Sequence, residues 1–166
     1  MDFSNIKLLL CDFDGVMTDN RVLVDQDGKE AVVCNRGDGL GIDMLRDKGI
    51  LVLILSKERN PVVAARAQKL RIEVLHGVDN KLALFKKEVE KRNIPMAQVC
   101  FIGNDLPDID CLKAAGIGVA VADSHPEALK AAKYVTKTAG GKGAVREVAE
   151  LIVGKDYALK KYITSR

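Results

Sequence analysis

Two kinds of apolar pattern alternate along the chain: short runs that are apolar throughout, and longer stretches in which apolar residues recur at helical spacing. The first run, IKLLLCDF (6–13), predicts a strand. RVLVDQDGKEAVVCN (21–35) then holds two runs rich in β-branched residues, joined across Asp27 and Gly28, which predicts a small two-stranded projection. GDGLGIDMLRDKG (37–49) carries Ile42 and Leu45 at helical spacing and stops at Gly49. ILVLILS (50–56) is too uniformly apolar for an exposed strand and reads as a central parallel one. The cycle repeats as helix 60–70, strand 72–77, helix 81–93, strand 98–103, helix 106–116, strand 117–122, helix 125–133, strand 134–136 and a last helix opening near 143–153. Strands that alternate with helices and are apolar on both faces predict an α/β fold, a Rossmann-like three-layer sandwich with a mostly parallel sheet.

At 166 residues, without internal repeats or a linker-like tract, the chain is expected to form a single domain over 1–166. Its 26 basic and 23 acidic residues are mixed along the chain and only four Phe and three Tyr are present, so nucleic acid is not an expected partner. No apolar stretch approaches the roughly 18 to 20 residues that span a bilayer. The opening MDFSNIK lacks the basic and apolar regions of a signal peptide, so a cytoplasmic location away from membranes is expected. Cys11, Cys34, Cys100 and Cys111 lack C-x-x-C spacing and read as free thiols.

The chemistry gathers at strand ends. Asp12 and Asp14 follow the first run, Ser56 follows the central one, and Asn104, Asp105 and Asp108 follow VCFIG. In a parallel sheet these ends share one edge, where ligands bind. Asp12 and Asp14 lie two apart on extended chain and start on one side, where they repel unless a cation intervenes. Lys81 can bring positive charge to the same edge. Oxygen ligands without a neighbouring His or Cys pair select a hard cation, Mg²⁺ foremost. A calcium loop counted from Asp12 fails, because Gly15 falls where an EF-hand has no glycine and Leu23 where it needs an acid. RGDGLG lacks the spacing and the preceding strand of a dinucleotide site, and His76 and His125 show no metal spacing.

DFDGV with Thr18-Asp19, then Ser56, Lys81 and GNDLPD (103–108), resemble the four ordered motifs of the haloacid dehalogenase superfamily. DQDGKE, NRGDGLGI, LSKERN, GVDNKL and AGGKGAVREV extend the likeness to capless phosphatases of 3-deoxy-manno-octulosonate 8-phosphate and their sialic acid relatives. The resemblance implies no cap domain and a Mg²⁺-dependent phosphatase acting on a sugar acid phosphate. It implies Asp12 as nucleophile, Asp14 as acid and base, Ser56 on a phosphoryl oxygen and Lys81 as charge balance. Asp12, Asp14, Asn104 and Asp105 are the implied metal ligands, although the superfamily usually has Asp where Asn104 stands. That departure also resembles the phosphatase-like domain of sialic acid cytidylyltransferases, which leaves a non-catalytic oligomerisation or regulatory domain as the alternative.

Glu58, Arg66 and Lys69 are the implied substrate contacts, with Arg146, or Lys142 beside it, meeting a carboxylate. Glu58 stands where octulosonate phosphatases tend to have Arg, and a Glu there with Lys69 resembles phosphatases of nine-carbon keto acids such as 2-keto-3-deoxynononate or N-acetylneuraminate 9-phosphate. The resembling phosphatases are tetramers, so a homotetramer assembled through the hairpin is expected.

Overall fold

β1 (Leu8–Cys11) lies inside a six-stranded, all-parallel sheet in the computed structural model, which describes residues 1–163. Across the sheet the order is β5 (Glu73–Leu75), β4 (Leu51–Leu55), β1, β6 (Val99–Gly103), β7 (Ile117–Ala120) and β8 (Tyr134–Val135). The chain builds outward from β1 through β4 to β5, then returns to the other side of β1 with β6. That reversal opens a crevice beyond the carboxyl ends of β1 and its neighbours. Register places Cys11 opposite Ile54 and Ile102, so Asp12, Ser56 and Asn104 leave the sheet at nearly one level.

Alternation along β1 explains the three layers. Leu8 and Leu10 join Phe85, Phe101, Leu112 and Ala128 in a core under α3 (Lys81–Lys91), α4 (Ile109–Ala114) and α5 (Pro126–Ala131). Leu9 and Cys11 join Ile42, Leu45, Val63 and Val148 under α1 (Arg36–Asp47), α2 (Val62–Leu70) and α6 (Ala144–Val153) on the opposite face. Buried Asp38 in the first turn of α1 accepts a bond from Arg146 N at 2.9 Å, fastening the start of α6. Cys11, Cys100 and Cys111 are buried and Cys34 half-buried, all as free thiols.

β2 (Thr18–Val24) and β3 (Glu30–Cys34) form the expected antiparallel hairpin, but its turn is longer than a tight Asp27-Gly28 junction. Asp25 N donates to Lys29 O, while the Asp25 carboxylate accepts from Asp27 N and Lys29 N. An Asp at the turn's entry thus organises five residues, with Gly28 in the left-handed region at φ 78°. Only this hairpin and α1 separate β1 from β4, so no cap is inserted there.

One further helix, α7 (Lys155–Ile163), follows Gly154 and was not anticipated by the periodicity. It joins the body through Lys48, whose ammonium sits 4.1 Å from the centre of the Tyr157 ring.

Candidate active site

Asp12 N continues the β1 ladder by donating to Ile102 O at 2.9 Å, after which the chain turns sharply. Phe13, fully buried, anchors that turn, and its carbonyl accepts from Met17 N and Thr18 N. The buried Thr18 hydroxyl accepts from Gly15 N and Asn20 N. Gly15 has φ 74°, and a Cβ there would stand 2.0 Å from Asn104 Nδ2. No other residue fits between the turn and that amide without displacing it.

The turn is supported from behind by 139–143. Gly141 N donates to Val16 O at 3.0 Å and Gly140 N to Asp123 Oδ1 at 2.9 Å. A Cβ on Gly140 would meet the Gly15 carbonyl at 1.9 Å, so backbone lies directly on backbone. Gly140 and Gly141, the buried pair of AGGKG, are therefore a buttress of the Asp12–Thr18 turn, and no residue of that segment, exposed Lys142 included, lines the cavity at the strand ends.

Lys81 opens α3, whose end is capped by Asn80 accepting from Ala83 N. Its ammonium, 4% exposed, lies 2.9 Å from Asp12 Oδ2 and 2.6 Å from Asp108 Oδ1. The other oxygen of Asp108 accepts from Asn104 N at 2.9 Å and Asp105 N at 3.3 Å. Asp108, to which the resemblance assigns no role, thus ties the loop after β6 to Lys81. Its position four residues beyond Asn104, at the start of the next helix, is the signal that marks it.

The charges are mutually dependent. Burial and the Asp108 carboxylate push Asp12 above the usual carboxylate range, while Lys81 pulls it back. Burial opposes the charge on Lys81, but Asp12 and Asp108 outweigh it and hold the ammonium above its ordinary value. Burial also raises Asp14, helped by the nearby negative charges of Glu58 and Glu30 and opposed by Lys81.

A cavity of about 400 Å³ opens at this edge, lined by Asp12, Asp14, Ser56, Lys81, Asn104 and Asp105, with Asn20, Lys57, Glu58, Arg59 and Pro107 completing the wall. Ser56, buried after β4, accepts from Glu58 N at 3.1 Å, which leaves its hydroxyl hydrogen for a ligand. Asn104 Oδ1 is buried and without a hydrogen-bond partner among the described residues. Such an orphaned oxygen beside carboxylates fits a hard cation. Among the described residues no three His, Cys, Asp or Glu side chains are grouped as a metal site, so a metal set here depends on the Asn104 amide and backbone oxygen.

Glu58 lines the cavity, with one carboxylate oxygen accepting from Arg59 N and Asn60 N at 2.6 Å each. Arg66, Lys69 and Arg146 do not line it. α2 runs back from the strand ends at about 1.5 Å per residue, which carries Arg66 and Lys69 away from the site. Arg66 instead donates to Asn35 O at 3.1 Å, and Lys69 is exposed in the last turn of α2. Arg146 packs at the start of α6 and donates from Nε to Glu150 at 2.6 Å. The structure adds Asn20, Lys57 and Arg59 to the lining, which the motifs did not single out.

Residues 49–148 match a family of haloacid dehalogenase-like hydrolases. A 3-deoxy-D-manno-octulosonate 8-phosphate phosphatase of Yersinia pestis is 40% identical over 151 residues, covering 90% of this chain and 81% of that protein. A crystal structure from Streptomyces avermitilis, described as a HAD family hydrolase, is 48% identical with a TM-score of 0.91, over 95% of this chain and 90% of that one. The 3-deoxy-D-manno-octulosonate 8-phosphate phosphatase of Moraxella catarrhalis, solved with a magnesium ion, a phosphate ion and KDO, is 32% identical with a TM-score of 0.91, over 98% of this chain and 94% of that one.

Proposed function

Because the chain belongs to the haloacid dehalogenase-like hydrolases, and to their phosphatase branch over nearly its whole length, we propose that it is a Mg²⁺-dependent phosphatase of a 2-keto-3-deoxy sugar acid phosphate. The observation that carries this reading is the convergence of Asp12, Asp14, Ser56 and Lys81 on one cavity beside the unpartnered Asn104 oxygen. Asp12, the Asp14 backbone carbonyl, Asn104 and Asp105 are the residues that would hold Mg²⁺. The chemistry it supplies when bound is neutralisation of charge between carboxylate and phosphate, so that two anions can approach.

The protein's own groups divide the rest of the work. The Asp12 carboxylate attacks phosphorus, and the bond from phosphorus to the sugar oxygen breaks as the aspartyl phosphate forms. Asp14 gives its proton to the departing sugar oxygen. Its raised proton affinity, caused by burial and by Glu58, suits that role. The resulting carboxylate then takes a proton from water, the water oxygen bonds to phosphorus, and the bond to Asp12 breaks to release phosphate. Ser56 donates to a phosphoryl oxygen, and Lys81 offsets negative charge that builds in the transition state. A non-catalytic role is disfavoured by this intact set.

Substrates to compare are octulosonate 8-phosphate, named for the relatives, and nonulosonate 9-phosphates, to which the resemblance at Glu58 points while Lys69, the other half of that resemblance, lies outside the lining. Phosphate release measured with Mg²⁺ across both classes is expected for at least one, and loss on chelation with EDTA; an inert protein with every substrate would overturn the reading.

We further place the working unit as a cytoplasmic homotetramer. The hairpin exposes Val22, Leu23, Val24 and Val33, apolar surface suited to other copies of the chain. Sedimentation combined with assay should show activity tracking the assembled form; a monomer of full activity would sink this part.

A further inference from the structure

The residues above account for the reacting end of the cavity and leave the leaving sugar acid without a partner. Three cationic side chains line the wall: Lys81, Arg59 and Lys57. Lys81 is committed to Asp12 and Asp108, and Arg59 is paired with Asp79 at 3.1 Å. Lys57 is exposed and has no salt bridge among the described residues, although four acids, Asp12, Asp14, Glu58 and Asp105, share its cavity. A keto acid phosphate brings a second anion, its carboxylate, into this acidic surround. The carboxylate of Glu58, held in place by Arg59 N and Asn60 N, repels such a group from its side of the loop.

Asn20 is the second unabsorbed feature. It has φ 62°, a left-handed conformation uncommon for a residue with a side chain, and it lies where the β2–β3 register breaks between Thr18 and Val22. Breaks of this kind re-aim side chains beside active sites. Asn20 lines the same cavity, with its backbone fixed by the Thr18 hydroxyl. Its amide offers both donors and an acceptor, which suits a polyhydroxyl chain.

We infer that Lys57 and Asn20 form the subsite for the sugar acid, Lys57 pairing with the substrate carboxylate and Asn20 hydrogen-bonding its hydroxyls. This rests on the phosphatase reading and deepens it by assigning the two side chains that select the sugar acid portion of that substrate.

The test compares steady-state kinetics of wild type, Lys57→Met, Lys57→Arg and Asn20→Ala on octulosonate 8-phosphate or a nonulosonate 9-phosphate, on a polyol phosphate of equal length without the carboxylate, and on p-nitrophenyl phosphate. Lys57→Met should lower the preference for the keto acid phosphate over the polyol phosphate by about 10- to 100-fold, the loss falling in KM and not kcat. Lys57→Arg should restore most of that preference. Asn20→Ala should lower the preference for both hydroxylated substrates over p-nitrophenyl phosphate. An unchanged preference in Lys57→Met, with the wild type active, overturns the subsite alone. A wild type inert toward all three substrates overturns the phosphatase reading and the subsite together.

Discussion

Asp12→Asn is expected to lower kcat for phosphate release by roughly four to six powers of ten, the scale on which removing a nucleophile acts. The amide keeps the shape of the carboxylate but does not attack phosphorus. It leaves Lys81 its second partner, since Asp108 Oδ1 stays at 2.6 Å from the ammonium. One member of a repelling acid pair is removed, so the fold should survive; burial and Asp108 are the causes that make the Asp12 charge costly in the first place. A thermal melt within a few degrees of wild type, together with the lost turnover, is the expected pair of results. Retained turnover would show that another group attacks.

Lys81→Met should act on stability as much as on rate. Among the described residues Lys81 is the cation paired with both Asp12 and Asp108, and its removal leaves two buried carboxylates facing each other. Breaking a buried ion pair from one side costs about 3–5 kcal/mol. The pH dependence follows from Asp12, whose carboxyl is already raised by burial and Asp108 and is lowered again chiefly by Lys81, with a smaller contribution from the Phe13 N–H. Without the lysine it rises further above its unfolded value of 3.8, so the deficit is present above that raised value and shrinks as pH falls through it. Denaturant melts near pH 8 and pH 5.5 should show a narrower gap to wild type at the lower pH. A gap that is equal at both would mean that the carboxylates find another compensation.

The pattern along the chain was most legible where burial leaves no choice. Leu8 to Cys11 and Val52 to Leu55 are buried on both sides of the sheet, and a run apolar throughout has no other stable setting. Asp12, Ser56 and Asn104 were legible for the same reason, because polar residues ending such strands must emerge at one edge. α7 was not, since Lys155, Asp156 and Lys160 interrupt any apolar stripe and its anchoring contact with Lys48 is a tertiary one. Charged positions on α2 and α6, expected at the site, lie outside the cavity lining for a different reason. Their spacing from Ser56 says nothing of which way a helix recedes, and Arg66 is drawn to the Asn35 carbonyl. Asn20 and Lys57 were assigned no role, although Lys57 lies within LSKERN, because only the folded wall of the cavity brings them together.

The departure at Asn104 also changes meaning once its surroundings are known. The amide fills the space that Gly15 leaves open, and its buried oxygen keeps an unused lone pair. A neutral amide oxygen is thus packed against the Asp12–Thr18 turn, which Gly140 and Gly141 contact from behind.

The stereochemical course at phosphorus tests the central claim most directly, using a substrate made chiral with oxygen isotopes and hydrolysed in the presence of Mg²⁺. Attack by Asp12 followed by attack of water inverts phosphorus twice, so overall retention is the predicted result. Net inversion would mean that water displaces the sugar in one step and that Asp12 is not the nucleophile.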